Sequence, residues 1–345
     1  MRFSLKRALV RSRQYVEGVT KGNSGDWIWL GSKPVPLASL NRSLWRSAEP
    51  SLSFYVLLLL SGAIATFGLL ANSAATIIGA MIVAPLMGPI LGIAFSTVMG
   101  NRRLLRRSLL SVMTGVILVI LISLMICRLT GLNTLTSEIQ ARTAPNLLDL
   151  GVALAAGTAG AYAKSRRDIS DALPGVAIAV ALVPPLSVVG IGLANRLPAV
   201  TGGSLLLFLT NLVGIIFSGS AVFLLQRYGS IARAKKGLMV AIASLVILAI
   251  PLGFSFQDLV VKQRIRDEIR QIIARQTLTF VDRDIRRLQV YRQGDRLLVD
   301  LDVAARSGAI SQKQVQLVQE FLQKQLGRPI SLEVTLIPVE KLNAD

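Results

Sequence analysis

Two long apolar stretches interrupted by proline set the strictest limit on what this chain can become. The first is Gly79-Ala-Met-Ile-Val-Ala-Pro-Leu-Met-Gly-Pro-Ile-Leu-Gly92, and the second is Gly175-Val-Ala-Ile-Ala-Val-Ala-Leu-Val-Pro-Pro-Leu-Ser-Val-Val-Gly190. A proline inside a helix deletes one backbone hydrogen bond and clashes with the turn before it. In lipid, the freed carbonyl survives only where protein, water or a neighbouring helix satisfies it. The two stretches also resemble each other. Aligned on Gly79 and Gly175, Pro89 falls on Pro185 and Ser108 on Ser204. Upstream, Gly68-Leu-Leu-Ala-Asn-Ser73 resembles Gly160-Ala-Tyr-Ala-Lys-Ser165, with a short insertion in the second copy. Paired interrupted segments in two halves point to a transport site between them. Close packing through small residues and prolines is the plainer explanation.

Composition puts the chain in a membrane. Apolar residues make up 52% of it, and the mean hydropathy is +0.58, far above what a soluble protein of this length needs. The first fifty residues are basic and mixed, and no cleaved leader is expected from them. The lone Cys127 excludes an intrachain disulfide, and histidine is absent. Without the commonest metal ligand and general base, a zinc or haem site is not expected.

Seven runs are long and apolar enough for a hydrocarbon core of about 30 Å, which takes about 20 residues. They lie near 52–71, 75–99, 108–128, 147–163, 173–194, 203–225 and 238–256. The second is long enough to tilt, or to be two half-helices around Pro85 and Pro89. Nine Lys or Arg precede residue 52. The loops that follow carry none, then Arg102, Arg103, Arg106 and Arg107, then Arg128 and Arg142, then Lys164, Arg166 and Arg167, then Arg196, then Arg227, Arg233, Lys235 and Lys236. That is eleven against three in alternate loops, which predicts a cytoplasmic N-terminus. Seven spans then put the C-terminus on the other side, unless one run is re-entrant. Each copy of the repeat, about 52–128 and 147–225, covers three spans. An odd number makes the second copy enter from the opposite face, and the basic loop switches from after the broken span to before it. Both features predict an inverted 3+3 repeat with 238–256 as an added helix.

The residues Asn72-Ser-Ala-Ala-Thr-Ile-Ile-Gly-Ala-Met-Ile-Val-Ala-Pro-Leu-Met-Gly-Pro-Ile90, followed by Gly100-Asn-Arg-Arg103, resemble the hallmark of the DUF389 family. The resemblance covers most of 50–255. It implies a bacterial or cyanobacterial multi-pass membrane protein, and it implies no activity and no catalytic residue.

The ends differ from the core. In residues 1–51, Arg2, Lys6, Arg7, Arg11 and Arg13 alternate with Phe3, Leu5, Leu9, Val10 and Val16. That pattern predicts a basic amphipathic helix on anionic headgroups, with Trp27, Trp29 and Trp45 at headgroup level. Residues 257–345 predict a small soluble α/β domain: a helix over about 258–275, strands at 278–281, 287–291 and 297–303, a helix capped by Ser311, and a last strand over 330–336. Asp300 and Asp302 fall on the solvated face of their strand. Fifteen basic and twelve acidic residues leave this domain only slightly positive. The pI near 11.1 therefore reflects cytoplasmic loops, and no nucleic-acid partner is expected.

Ionisable and polar groups at depth are the candidates for function. Asp149 is the one acid close to an apolar core, and it suits a helix cap equally well. Asn72, Ser73 and Thr76 open the first interrupted segment beside Pro85 and Pro89. Pro184, Pro185 and Asn211 belong to the second copy. No Ser/His/Asp, Cys/His, HExxH or phosphate-cradling glycine motif is present, so no cofactor and no enzyme activity are expected. The leading expectation is a transporter or channel for a small anionic or polar solute between the repeats, assembled as a homo-oligomer. The alternative is a non-transporting scaffold or sensor whose C-terminal domain binds a partner or ligand. A polar cavity reaching Asn72, Pro89, Pro185 and Asn211 would favour transport, and a tightly packed repeat interface would favour the scaffold.

Overall fold

A computed structural model describes residues 34–166, 182–276, 284–293, 296–305, 311–326 and 329–338. It divides into two compact units, Met1–Leu252 and Gly253–Asp345. The amphipathic helix expected near the N-terminus, with Trp27 and Trp29, lies outside the described residues, as does the strand expected at 278–281.

The first unit is helical. A short helix α1 (Leu37–Ser47) precedes α2 (Leu52–Leu70), α3 (Ala74–Val83), α4 (Met87–Met99) and α5 (Arg102–Thr130). One turn, α6 (Ser137–Gln140), then leads to α7 (Leu147–Lys164), α8 (Val183–Ala194), α9 (Pro198–Leu225) and α10 (Ile231–Gln276). Side-chain oxygens start several of these helices by accepting a first-turn N–H that has no helical partner. Ser51 accepts from Phe54 N–H at 3.2 Å, and Asn101 from Leu104 N–H at 3.2 Å.

Among the described residues four helices, α2, α5, α9 and the first part of α10 (Ile231–Gln257), are long and apolar enough to cross a membrane. The pair α3 and α4 passes the same standard together but bends by 57° at its break, which makes five if the pair is one span. The chain is therefore a helical membrane protein. The sequence count of seven exceeds what is seen. The run at 147–163 forms α7, which falls short of the standard, and the run at 173–194 forms only the 12-residue α8 among the described residues.

The prolines act differently from the expectation. Pro85 makes the break: Ala84 before it is extended (φ −69°, ψ 121°), as a residue preceding proline prefers. Pro89, however, is the third residue of α4, and Pro184 and Pro185 are the second and third of α8. A proline in the first turn gives up an N–H that would have had no helical partner anyway. Pro89, Pro184 and Pro185 thus lie in the first turns of α4 and α8.

Elements recur at one spacing. The residue before α4 is Leu86 and the residue before α8 is Leu182, and 182 less 86 is 96. The same shift carries Asn101, before α5, to Leu197, before α9. Backbone bends follow it too: Gly100 (φ 68°) pairs with Arg196 (φ 55°), and Gly131 (φ 65°) with Arg227 (φ 64°). Even a closing hydrogen bond repeats, Asn101 N–H to Ser96 O at 3.0 Å and Leu197 N–H to Gly192 O at 2.9 Å.

Packing has the same symmetry. Within the first copy α2 and α4 pack on α5, and within the second α7 and α8 pack on α9. Across copies, α8 packs on α5 and α4 on α9. The crossings need small residues. A Cβ on Gly190 of α8 would sit 2.6 Å from the Ile120 carbonyl of α5, and one on Gly219 of α9 would sit 3.3 Å from Ala94 of α4. Ser220 Oγ adds a bond to Ala94 O at 3.1 Å. Phe95, Phe223 and Tyr228 meet edge-to-face beside this seam, with centroids 5.4 to 6.4 Å apart. Tyr228 OH donates to Val35 O at 2.6 Å and so ties down the chain before α1. Burial raises its pKa above the ordinary phenol value, against the pull of Arg166.

In the second unit, α10 continues through Pro251 to Gln276, so the expected separation of a span at 238–256 from a helix at 258–275 is absent. Strands β1 (Asp284–Gln293), β2 (Arg296–Ala305) and β3 (Ile330–Pro338) form one sheet in that order, with α11 (Gln312–Leu326) between β2 and β3. β1 and β2 are antiparallel, while β2 and β3 are parallel. Val299, Leu301 and Val303 are buried, and they pack with Ile269, Val318, Leu322, Ile330 and Leu332.

Candidate functional site

The start of the second copy holds the polar residues together. After the α5 bend at Gly131, Thr136 caps α6 by accepting from Ile139 N–H at 3.3 Å, and it donates to Leu69 O at 2.7 Å. Asn72 adopts a left-handed conformation (φ 54°), which asparagine tolerates better than most residues. Its Oδ1 accepts from Ser137 Oγ at 2.9 Å and Glu138 N–H at 3.1 Å. The end of α2 therefore anchors the single turn α6.

That turn presents an ion pair. Arg142 Nη1 reaches Glu138 Oε2 at 2.8 Å across one helical turn, and it also donates to the Glu138 carbonyl. The Arg142 carbonyl in turn accepts from Ser204 Oγ of α9 at 3.0 Å. Next in the chain, Asn146 and Asp149 form a capping box: Asn146 Oδ1 accepts from Leu148 N–H and Asp149 Oδ2 from Asn146 N–H, both at 2.8 Å. Such a box satisfies donors at the helix start and suits the dipole there. Glu138, Arg142, Asp149, Val152, Pro185, Leu207 and Asn211 line a cleft of about 270 Å³.

Three of the residues named from sequence thus meet in one cleft: Asp149, Pro185 and Asn211. Asn211 is 5% exposed, and Thr210 beside it is wholly buried. Asn72 does not reach the cleft but positions Glu138. Ser73 and Thr76 cap α3, with Ser73 Oγ accepting from Thr76 N–H at 3.4 Å and lying 2.9 Å from Thr76 Oγ1. Pro85 lines a different cleft. Pro89 and Pro184 are buried and line neither. The sequence reading missed Glu138 and Arg142, counting Arg142 only as a loop charge. Their i,i+4 spacing after Thr136 was the available signal.

Between the copies the packing is close at the Gly190 and Gly219 crossings. Within the first copy Ser61 donates to Ala80 O and Thr66 to Ser123 Oγ, both at 2.7 Å, whereas the buried hydroxyls of Ser108, Ser187 and Thr210 have no hydrogen-bond partner among the described residues. Among the described residues no group of three or more His, Cys, Asp or Glu could hold a metal ion.

Residues 81–217, from the end of α3 into α9, match the family model of DUF389, described as a domain of unknown function. This stretch is similar to the DUF389 family. It contains both half-helices that open on proline and the whole cleft, while Asn72, Ser73 and Thr76 lie just before it. The chain is also similar to an uncharacterised protein of Methanocaldococcus jannaschii, at 30% identity over 168 residues, 49% of this chain and 52% of that protein. The match thus spans about half the length of the archaeal relative. The DUF389 resemblance read from Asn72–Ile90 is borne out, and this relative is archaeal.

Proposed function

We propose that the DUF389-like region is a transporter or channel for a small anionic or polar solute, built from two inverted repeats and entered through the Glu138–Asn211 cleft. The observation that carries this is the convergence of Glu138, Arg142, Asp149 and Asn211 around the start of α8. In a membrane, charged and amide groups are kept beside apolar helices only where a cavity or pathway uses them. The α8 start has no side-chain cap, and Pro184 and Pro185 remove two of its first-turn N–H donors, so the attraction of an anion or electronegative atom there rests on the helix dipole. The 96-residue spacing of element starts, bends and crossings supports the repeat. With 147–163 and 173–194 also crossing to make seven spans, the eleven-to-three loop asymmetry supports a cytoplasmic N-terminus and a C-terminal unit on the opposite side.

The tight packing between copies favours a second reading, a membrane scaffold or sensor that moves nothing. Uptake into proteoliposomes from a panel of small anions and polar solutes separates the two. Transport predicts flux above empty liposomes, reduced at least tenfold by Asn211→Leu and by Glu138→Gln in folded protein. Absence of flux for every solute leaves the scaffold. Homo-oligomers and anionic headgroups are the partners proposed with either reading.

A further inference from the structure

The Glu138–Asn211 cleft has a counterpart in the first copy. A second cleft, of about 370 Å³, is lined by Arg46, Ser53, Phe54, Leu57, Gly88 and Lys164 among others. Phe54 and Leu57 hold the places in α2 that Asp149 and Val152 hold in α7, each pair 95 residues apart. Each cleft also meets the first turn of a half-helix, at Gly88 of α4 in one and Pro185 of α8 in the other.

Each cleft is bordered by a short helix that precedes its copy and docks on that copy through a serine and a glycine, at positions that do not correspond under the 96-residue shift. Ser111 Oγ of α5 donates to Ala48 O, just after α1, at 2.8 Å, and Ser204 Oγ of α9 donates to Arg142 O, just after α6, at 3.0 Å. A Cβ on Gly88 would lie 2.6 Å from the Ser47 carbonyl, and one on Gly203 would collide with the Thr143 carbonyl. In both copies a glycine therefore lets the covering segment press its backbone onto the bundle. The fastenings differ. α1 is held by Glu49–Arg107 at 2.6 Å and by Arg107 over the Trp45 ring at 5.4 Å. α6 is held by Asn72 and Thr136.

The clefts lie at opposite ends of one helix. Asp149 at the start of α7 lines one and Lys164 at its end lines the other. Fifteen residues of helix separate them by about 22 Å, most of the thickness of a hydrocarbon core.

We infer that the two clefts are the two mouths of a single pathway along α7, with α1 and α6 as their covers, and that loosening one cover favours closure of the other. This rests on the transport reading. Two equivalent sites joined by a pseudo-symmetric bundle can exchange roles when one element of each copy shifts.

The test uses full-length protein in sealed vesicles, with Cys127→Ser as background and S53C or A141C as single reporters. A membrane-impermeant charged thiosulfonate is applied from each side, with no solute present. S53C and A141C are expected to react from opposite sides. Adding Glu49→Gln or Arg107→Gln, which unfastens α1, is expected to speed S53C labelling about threefold, the shift a partly exposed ion pair supports. The same changes are expected to slow A141C labelling. Reaction of both reporters from one side overturns the inference, as do rates that stay constant or move together. Because labelling needs no solute, absence of flux with reciprocal labelling intact sinks only the transport reading. Flux with uncoupled labelling sinks only the coupling of the mouths.

Discussion

Both units of this chain bury an apolar core, and the membrane unit adds a set of buried hydroxyls to it. In the C-terminal unit the core is Val299, Leu301, Val303, Val318 and Leu322, and the residues that alternate with it on β2 are Asp300 and Asp302. In the membrane unit, Ser61, Thr66, Ser108, Ser111, Ser123, Ser204 and Ser220 are buried, while Leu52, Leu121, Val246 and Ile250 are exposed. Water makes apolar burial the driving force in the first case. Lipid tails are as apolar as leucine, so helices in the second gain mainly from close backbone approach and interhelical hydrogen bonds. The residue that matters most therefore changes from leucine to glycine on going from one unit to the other.

The sharpest way to break this contrast is Gly190→Leu. The side chain would have to displace the Ile120 carbonyl and Ser123 of α5, at a cost of more than about 3 kcal/mol. Thermal unfolding in mild detergent is expected to show loss of the folded membrane unit, and a melting temperature within a few degrees of wild type would mean that α8 does not press on α5. Next comes Leu322→Ala in the C-terminal unit, where a fully buried leucine is worth about 3 kcal/mol. Hydrogen exchange should quicken throughout β2 and α11 while α2 and α5 keep their protection. A smaller effect follows from Ser61→Ala, which deletes the bond to Ala80 O and is expected to cost about 0.6 kcal/mol, as typical for such bonds in lipid. Smallest is Leu121→Ala on α5, where the side chain is 56% exposed and less than about 0.5 kcal/mol is expected. If Leu121→Ala instead costs as much as Leu322→Ala, that face of α5 is covered by protein, and a second copy of the chain is the first candidate.

Much of this was legible in the residues. Apolar length gave α2 within one residue, at Leu52–Leu70 against 52–71, and Pro85 marked the break between α3 and α4 because proline constrains the residue before it whatever the surroundings. Strict alternation gave the buried face of β2, and Ser311 does open α11, where its Oγ accepts from Gln314 N–H at 3.4 Å. What escaped notice was set by partners distant in sequence. α6 is a single turn with no periodicity to detect, and it exists because Asn72, 65 residues earlier, accepts from Ser137. For that reason Glu138 and Arg142 went unnoticed. Pro89 and Pro185 looked like breaks because sequence shows that a proline sits in an apolar run, but not where the helix around it begins. The continuity of α10 through Pro251 was hidden for the same reason.

The paired bends deserve a last consequence. Gly100 and Gly131 announce their turns, since glycine enters the left-handed region freely. Arg196 and Arg227 take up the same conformation at the corresponding places with side chains that resist it, at roughly 1 kcal/mol or more each. These turns are accordingly imposed from outside, by the long helices that enter and leave them. The two arginines act as strain gauges in the backbone, loaded for as long as the flanking helices are held in place.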